Sequence, residues 1–189
     1  MGTRNLTIVF MDGEYRVAQY GQWDGYPEGQ GMTCLEFLRN EMDEQLFRDN
    51  LKALEFIDYD SAQCKYINKA IEAGVIFPEF SRDTGAEILS MIQNRQTITR
   101  FLDNRIRFAA CGDCEWAWVI DLDKHTFESY QGWNTVALTE EDRFYFLSDE
   151  EDPDDGYHAV KIVASWPLDN LPGKKQFLEA FKSEDDNDD

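Results

Sequence analysis

The stretch Asn5-Leu6-Thr7-Ile8-Val9-Phe10-Met11-Asp12-Gly13-Glu14-Tyr15-Arg16-Val17 decides the fold class. Leu6, Ile8 and Phe10 alternate with Asn5, Thr7 and Val9, and the period of two resumes at Tyr15 and Val17 beyond Asp12-Gly13. Alternation places successive side chains on opposite faces of a strand, and Asp-Gly supplies the two positive-φ positions of a two-residue turn. The chain therefore opens with a β-hairpin.

Downstream the period changes. Thr33 with Glu36 and Thr84 with Glu87 match the capping-box pattern, each ahead of apolar residues at helical spacing: Leu35, Leu38, Met42 and Leu46 after the first, Ile88, Leu89 and Ile92 after the second. A further helix is expected over Gln45 to Leu54, and another capped by Asp60 or Ser61, with Tyr66, Ile67, Ala70 and Ile71 on one face and Gly74 as its stop. After Asn104 the period of two returns at Ile106 and Phe108, at Trp116, Trp118 and Ile120, and at Phe127 and Ser129. Arg143 to Leu147 and His158 to Ala164 read as two more strands, and Lys174 to Lys182 as a last helix carrying Phe177, Leu178 and Phe181 on one face. Hairpin, helices, strands, helix is the order of an α+β fold, a single domain over residues 1–182 with a largely antiparallel sheet.

Composition agrees. The 189 residues include 13 Phe, 8 Tyr and 5 Trp, enough for a substantial core, and 38 acidic against 18 basic residues give a net charge of −20. That charge opposes binding to nucleic-acid backbones and anionic membranes. Six carboxylates lie between Asp149 and Asp155 and five between Ser183 and Asp189, leaving −9 on the remainder. Residues 149–156 read as an acidic loop and 183–189 as an acidic disordered tail, because charges this dense repel one another and have nothing apolar to bury. Their functional alternative is docking on a basic protein. The spacing ahead of Gly156 puts Glu151 and Pro153 where calcium ligands would stand, which fails the calcium-loop pattern. The longest apolar run, Trp116 to Ile120, is far short of the roughly 20 residues that cross a bilayer, and no signal peptide or lipidation pattern opens the chain. A soluble, cytoplasmic protein is expected.

Chemistry-bearing motifs are few. Cys111-Gly112-Asp113-Cys114 presents two sulfurs across a turn, as half of a zinc site or as a redox pair, with Cys34, Cys64, His125 and His158 as the remaining ligand candidates. Its bland reading is a pair of small residues at a strand end, and no cofactor is expected. Asp121-Leu122-Asp123 at a strand end offers carboxylates to a divalent ion, but reads first as a polar hairpin turn. No G-x-S-x-G elbow, H-E-x-x-H helix or phosphate-cradling glycine loop is present.

The segment Gln19 to Gly31 is richer. Gln19, Gln22 and Gln30 bring amides, Tyr20, Trp23 and Tyr26 bring aromatic faces, Asp24 a carboxylate, and four glycines permit close approach. These groups suit a flat, hydrogen-bonding ligand, or else plug a sheet edge. The expected function is non-enzymatic binding of a small ligand or a basic protein partner, through Gln19, Gln22, Trp23, Asp24, Tyr26 and Gln30 and the acidic surface. The enzymatic alternative is an N-terminal-nucleophile amidohydrolase using Thr3, whose exposed amine would serve as base.

Three segments carry a resemblance: Gly2 to Thr7, Ala18 to Gly31 (AQYGQWDGYPEGQG) and Glu115 to Asp123 (EWAWVIDLD). They are similar to an uncharacterised protein family of phages, bacteria and fungi with no established activity. The resemblance implies shared architecture and a shared site at the glycine-rich segment, and a phage-type origin would fit an inhibitor or sequestering protein. The acidic insert and tail lie outside it.

Overall fold

A computed structural model describes residues 2–95, 99–150 and 156–182. Strands β1 (Asn5–Met11) and β2 (Glu14–Gly21) form the expected hairpin, with Asp12 at φ 55° and Gly13 at φ 76° in the turn. The chain then becomes helical at Pro27. Wide helical turns over Pro27–Gly31 and Phe37–Glu41 flank α1 (Met32–Glu36), and α2 (Glu44–Lys52) follows, capped by Asp43, whose carboxylate accepts from the Leu46 N–H at 3.0 Å. Short β3 (Glu55–Phe56) leads to α3 (Ala62–Glu72). Ser61 caps α3 at the Cys64 N–H, and Gly74 ends it at φ 88°, both as the sequence predicts. α4 (Ile88–Asn94), β4 (Phe101–Leu102), β5 (Trp116–Asp121), β6 (Thr126–Gln131), β7 (Lys161–Pro167) and α5 (Lys174–Glu179) complete the chain.

The main sheet has the order β2-β1-β5-β6-β7. Three of its four pairings are antiparallel and the one that joins the two hairpins, β1 with β5, is parallel. A parallel pair cannot be closed by a turn, so the helical middle of the chain serves as the crossover. β1 is buried on both sides: Val9 and Met11 join the helices in one core with Trp118, Phe127 and Phe177, while Leu6 and Ile8 join Ala117, Val119, Phe144 and Leu147 in a second. Trp118 stacks on Trp116 with centroids 5.4 Å apart and meets Phe177 of α5 at 5.9 Å, which seats the last helix. A Cβ at Gly31 would stand 2.7 Å from the Trp118 ring, so glycine there lets the first helix reach the sheet. The fold is a single α+β domain with a mostly antiparallel sheet.

Several expectations are corrected. The period of two at Ile106 and Phe108 does not make a strand: Asn104 Oδ1 accepts from the Ile106 N–H at 3.1 Å and starts a tight helical turn over Ile106–Ala110, which buries Ala109 and Ala110. Arg143 to Leu147 is not a strand either, since i→i+3 bonds from Tyr145 to Asp142 and from Leu147 to Phe144 close successive turns. Neither capping box caps. Thr33 donates to the Gly29 carbonyl inside a helix already under way, and Thr84 donates to the Pro78 carbonyl. The last strand begins at Lys161 rather than at His158, which forms an isolated bridge with Asn134. Of the acidic loop, residues 151–155 lie outside the described residues, as does the 183–189 tail.

Arg143 is drawn inward by charge. Its side chain is 7% exposed and binds Asp121, which is fully buried, and Glu128 at 2.9 Å, with the Tyr130 hydroxyl 3.1 Å from Nε. One cation thus serves two buried carboxylates across β5 and β6. Replacing it strands both in low dielectric, so Arg143→Met is expected to cost about 3–5 kcal/mol in urea unfolding. Adding Asp121→Asn and Glu128→Gln should recover a large part of that loss; a triple variant no more stable than the single one would show that the charges are not the cause.

Candidate functional site

Asn5 organises the glycine-rich segment. Fully buried at the start of β1, it donates from Nδ2 to the carbonyls of Gly21 at 3.2 Å and Trp23 at 3.3 Å. The chain doubles back there, and the Gly25 N–H reaches the Thr3 carbonyl at 2.9 Å. A Cβ at Gly25 would stand 2.6 Å from that carbonyl oxygen. The Trp118 indole N–H, from the neighbouring strand, donates to the Gly25 carbonyl at 2.9 Å. The segment read as one loop over Gln19 to Gly31 is therefore three things: the end of β2 to Gly21, a pinned turn over 22–26, and the start of a helix with Pro27 at its first position.

Its amides mostly face the protein. Gln30 Oε1 accepts from the Ala86 N–H at 2.7 Å while Nε2 donates to the Trp23 carbonyl, and Gln19 Nε2 donates to the Ser81 carbonyl at 3.0 Å. The Trp23 indole donates to Asp83 at 2.9 Å, and the Gln22 N–H to the Arg82 carbonyl at 2.8 Å. Gln22 Oε1 accepts from the Tyr20 hydroxyl and Asp24 from the Tyr26 hydroxyl. These bonds clamp residues 81–86 against the end of β2. Trp23 and Tyr26 stay 46% and 40% exposed.

The clamp creates a cavity. β2 is an edge strand, and its outer side is held at two places: the Arg105 N–H donates to the Ala18 carbonyl at 3.1 Å, and the Gln22 N–H reaches Arg82. Between them, at Gln19 and Tyr20, opens a cavity of about 720 Å³. Tyr20 and Phe108 form one wall, edge to face with centroids 4.9 Å apart, and Tyr59 and Phe80 supply further aromatic surface. Arg82, Arg105 and Arg107 bring three positive charges, and no carboxylate is among the described residues lining it. Asp103, nine-tenths buried behind the rim, holds Arg105 Nε at 2.6 Å and accepts from the Tyr59 hydroxyl. Burial and that bond push the Tyr59 phenol up to about 12, so it remains a donor at neutral pH. Burial is the largest single influence and works against the Arg105 charge, but the bond to Asp103, the Asp103 charge and the neighbouring tyrosines together raise the pKa.

Of the residues singled out in the glycine-rich segment, Gln19 and Tyr20 line this cavity; Gln22, Trp23, Asp24, Tyr26 and Gln30 build the clamp beside it. Sequence reading missed Tyr59, Arg82, Asn104, Arg105, Arg107 and Phe108. The signal that was present is Asn104-Arg105-Ile106-Arg107-Phe108, two arginines interleaved with aromatic and amide groups in a chain short of cations. Cys34, Cys64 and Cys114 belong to three different core clusters, and Cys111, exposed, is joined to Cys114 across the turn in which the Cys114 N–H reaches the Cys111 carbonyl at 2.8 Å. Burial pushes the Cys34 thiol up to about 12 and raises that of Cys114 as well. His125 stands between Glu44 and Asp169, at 3.1 and 2.6 Å, and the His158 N–H donates to the Asn134 carbonyl. Among the described residues no group of three or more His, Cys, Asp or Glu side chains is placed to hold a metal ion. Thr3 sits under the pinned turn with its carbonyl engaged by Gly25, and a Cβ on its neighbour Gly2 would run into the Trp23 ring at 2.4 Å. Asp121 and Asp123 each have protein partners, Asp121 at Arg143 and Asp123 at the Asp12 and Gly13 N–H groups. No helix of the described residues is long and apolar enough to cross a membrane.

If Asn5 pins the turn, Asn5→Ala leaves the Gly21 and Trp23 carbonyls without that donor and should cost about 1–3 kcal/mol. Chemical denaturation followed by tryptophan fluorescence measures it, and a loss under about 0.5 kcal/mol would place the anchor elsewhere. No protein-family model matches the chain, and no curated protein or solved structure does either.

Proposed function

We propose that this protein binds a small ligand, without turning it over, in the cavity at the exposed edge of β2. The observation that carries the proposal is the combination of volume and lining: about 720 Å³ walled by Tyr20, Tyr59, Phe80 and Phe108 with a few convergent polar groups, within the range of small-molecule sites. The lining favours binding over catalysis, because among the described residues it holds no histidine, cysteine or carboxylate to act as nucleophile or general base. The glycine-rich segment acts as the clamp that keeps residues 81–86 in place.

The test is a titration with neutral flat fragments, indole, benzamide and adenine, followed in amide NMR spectra. Shift changes are expected to gather on Gln19, Tyr20, Ser81, Asn104 and Phe108 and to vanish in Tyr20→Ala/Phe108→Ala, with the rest of the spectrum retained. Changes scattered over the surface, or the same changes in the double variant, would overturn the proposal.

A further inference from the structure

Resting on the cavity reading above, we infer that the ligand is a nucleoside monophosphate: a flat heteroaromatic ring with donors and acceptors on its edge, carrying a phosphate. Charge gives the first part. The chain has 38 acidic and 18 basic residues, yet three arginines and no described carboxylate line this one cavity. Among the described residues they are incompletely neutralised. Arg82 has no ion pair to any described residue, Arg107 meets Glu150 only at 3.4 Å, and Arg105 is held through Nε, which leaves its terminal nitrogens without a hydrogen bond among the described residues. In a protein whose field repels anions, a cationic lining of this kind selects for one, and guanidinium groups pair with phosphate oxygens two at a time.

The ring edge gives the second part. Asn104 spends Oδ1 on the Ile106 N–H and leaves Nδ2 unused; Gln19 spends Nε2 on the Ser81 and Tyr20 carbonyls and leaves Oε1 unused. The cavity thus offers a spare amide donor and a spare amide acceptor beside aromatic faces. A plain phenyl anion would leave both without a partner, whereas a nucleobase edge uses both while its face stacks on the aromatic wall.

Isothermal titration at low salt with AMP, GMP, CMP and UMP, each beside its nucleoside and beside inorganic phosphate, tests the inference. At least one monophosphate is expected to bind tenfold or more tighter than its nucleoside and than phosphate alone, and to weaken as salt is added. Arg82→Gln should remove about tenfold of that affinity, with Arg82→Lys between the two. Arg82 is exposed and its structural bond is through the backbone, so the fold survives either change. Equal binding of nucleoside and monophosphate overturns the anionic part while the cavity reading stands. Phosphate alone binding as tightly as the monophosphates overturns the ring. No monophosphate binding in a protein that still takes up the neutral fragments overturns the whole inference, and failure of the fragments as well removes the cavity reading with it. A short 5′-phosphorylated DNA strand separates the two sources of this chemistry: a strand bound more tightly than every free monophosphate overturns the free-nucleotide assignment.

Discussion

The parallel pairing of β1 with β5 is the constraint on which the rest of the molecule depends. Because it places two hairpins side by side in the same direction, both of their turns come to one end, where Asp123 in the β5–β6 turn accepts from the Asp12 and Gly13 N–H groups at 2.9 and 2.8 Å. Those bonds hold the Asp123 carboxyl below its usual range. At the opposite end the pairing brings Trp116 and Trp118 beside Asn5 and Thr7, so the indole of Trp118 is in place to hold the Gly25 carbonyl. The crossover that the pairing demands occupies the space over one sheet face, and the residues it leaves for the other face must be covered by the irregular chain around Phe144 and Leu147.

That second covering explains where local pattern misleads. The hairpin, α3 with its Ser61 cap and Gly74 stop, and β5 and β6 are readable because periodicity and terminating residues agree. The alternation at Ile106 and Phe108 agrees with nothing around it: Asn104 turns the chain first, and burial of Ala109 and Ala110 against the sheet completes the turn. Arg143 lies in a segment whose conformation follows from the buried carboxylates of β5 and β6, partners 22 and 15 residues away that no window of local sequence weighs. A tertiary charge interaction outweighs a strand-like pattern there.

The candidate site divides in the same way. The glycine-rich segment was visible as unusual, since four glycines among amides and aromatics have few bland explanations, but its polar groups are spent on the protein itself. Gln30 and Trp23 fasten residues 83 and 86, and Gln19 fastens Ser81. The cavity belongs to the far ends of those bonds. Its walls come from residues 19–20, 59, 80–82, 104–105 and 107–108, which only the folded chain assembles at an edge of the sheet, so the two arginines near Phe108 were its one local trace.

The parallel pairing also sets an order of events for the folding chain. β1–β2 and β5–β6 are local hairpins that can zip on their own, in microseconds, but β1 cannot meet β5 until Asn5 finds Trp116 across the whole helical middle. Closing so long a loop costs entropy before any parallel contact returns it, which makes that encounter the slow step and leaves two unsatisfied strand edges waiting for each other. Until it happens, the Trp118 side of the clamp is missing and the edge of β2 carries no shaped cavity. The shaped edge of β2 is therefore a late feature of the folding chain.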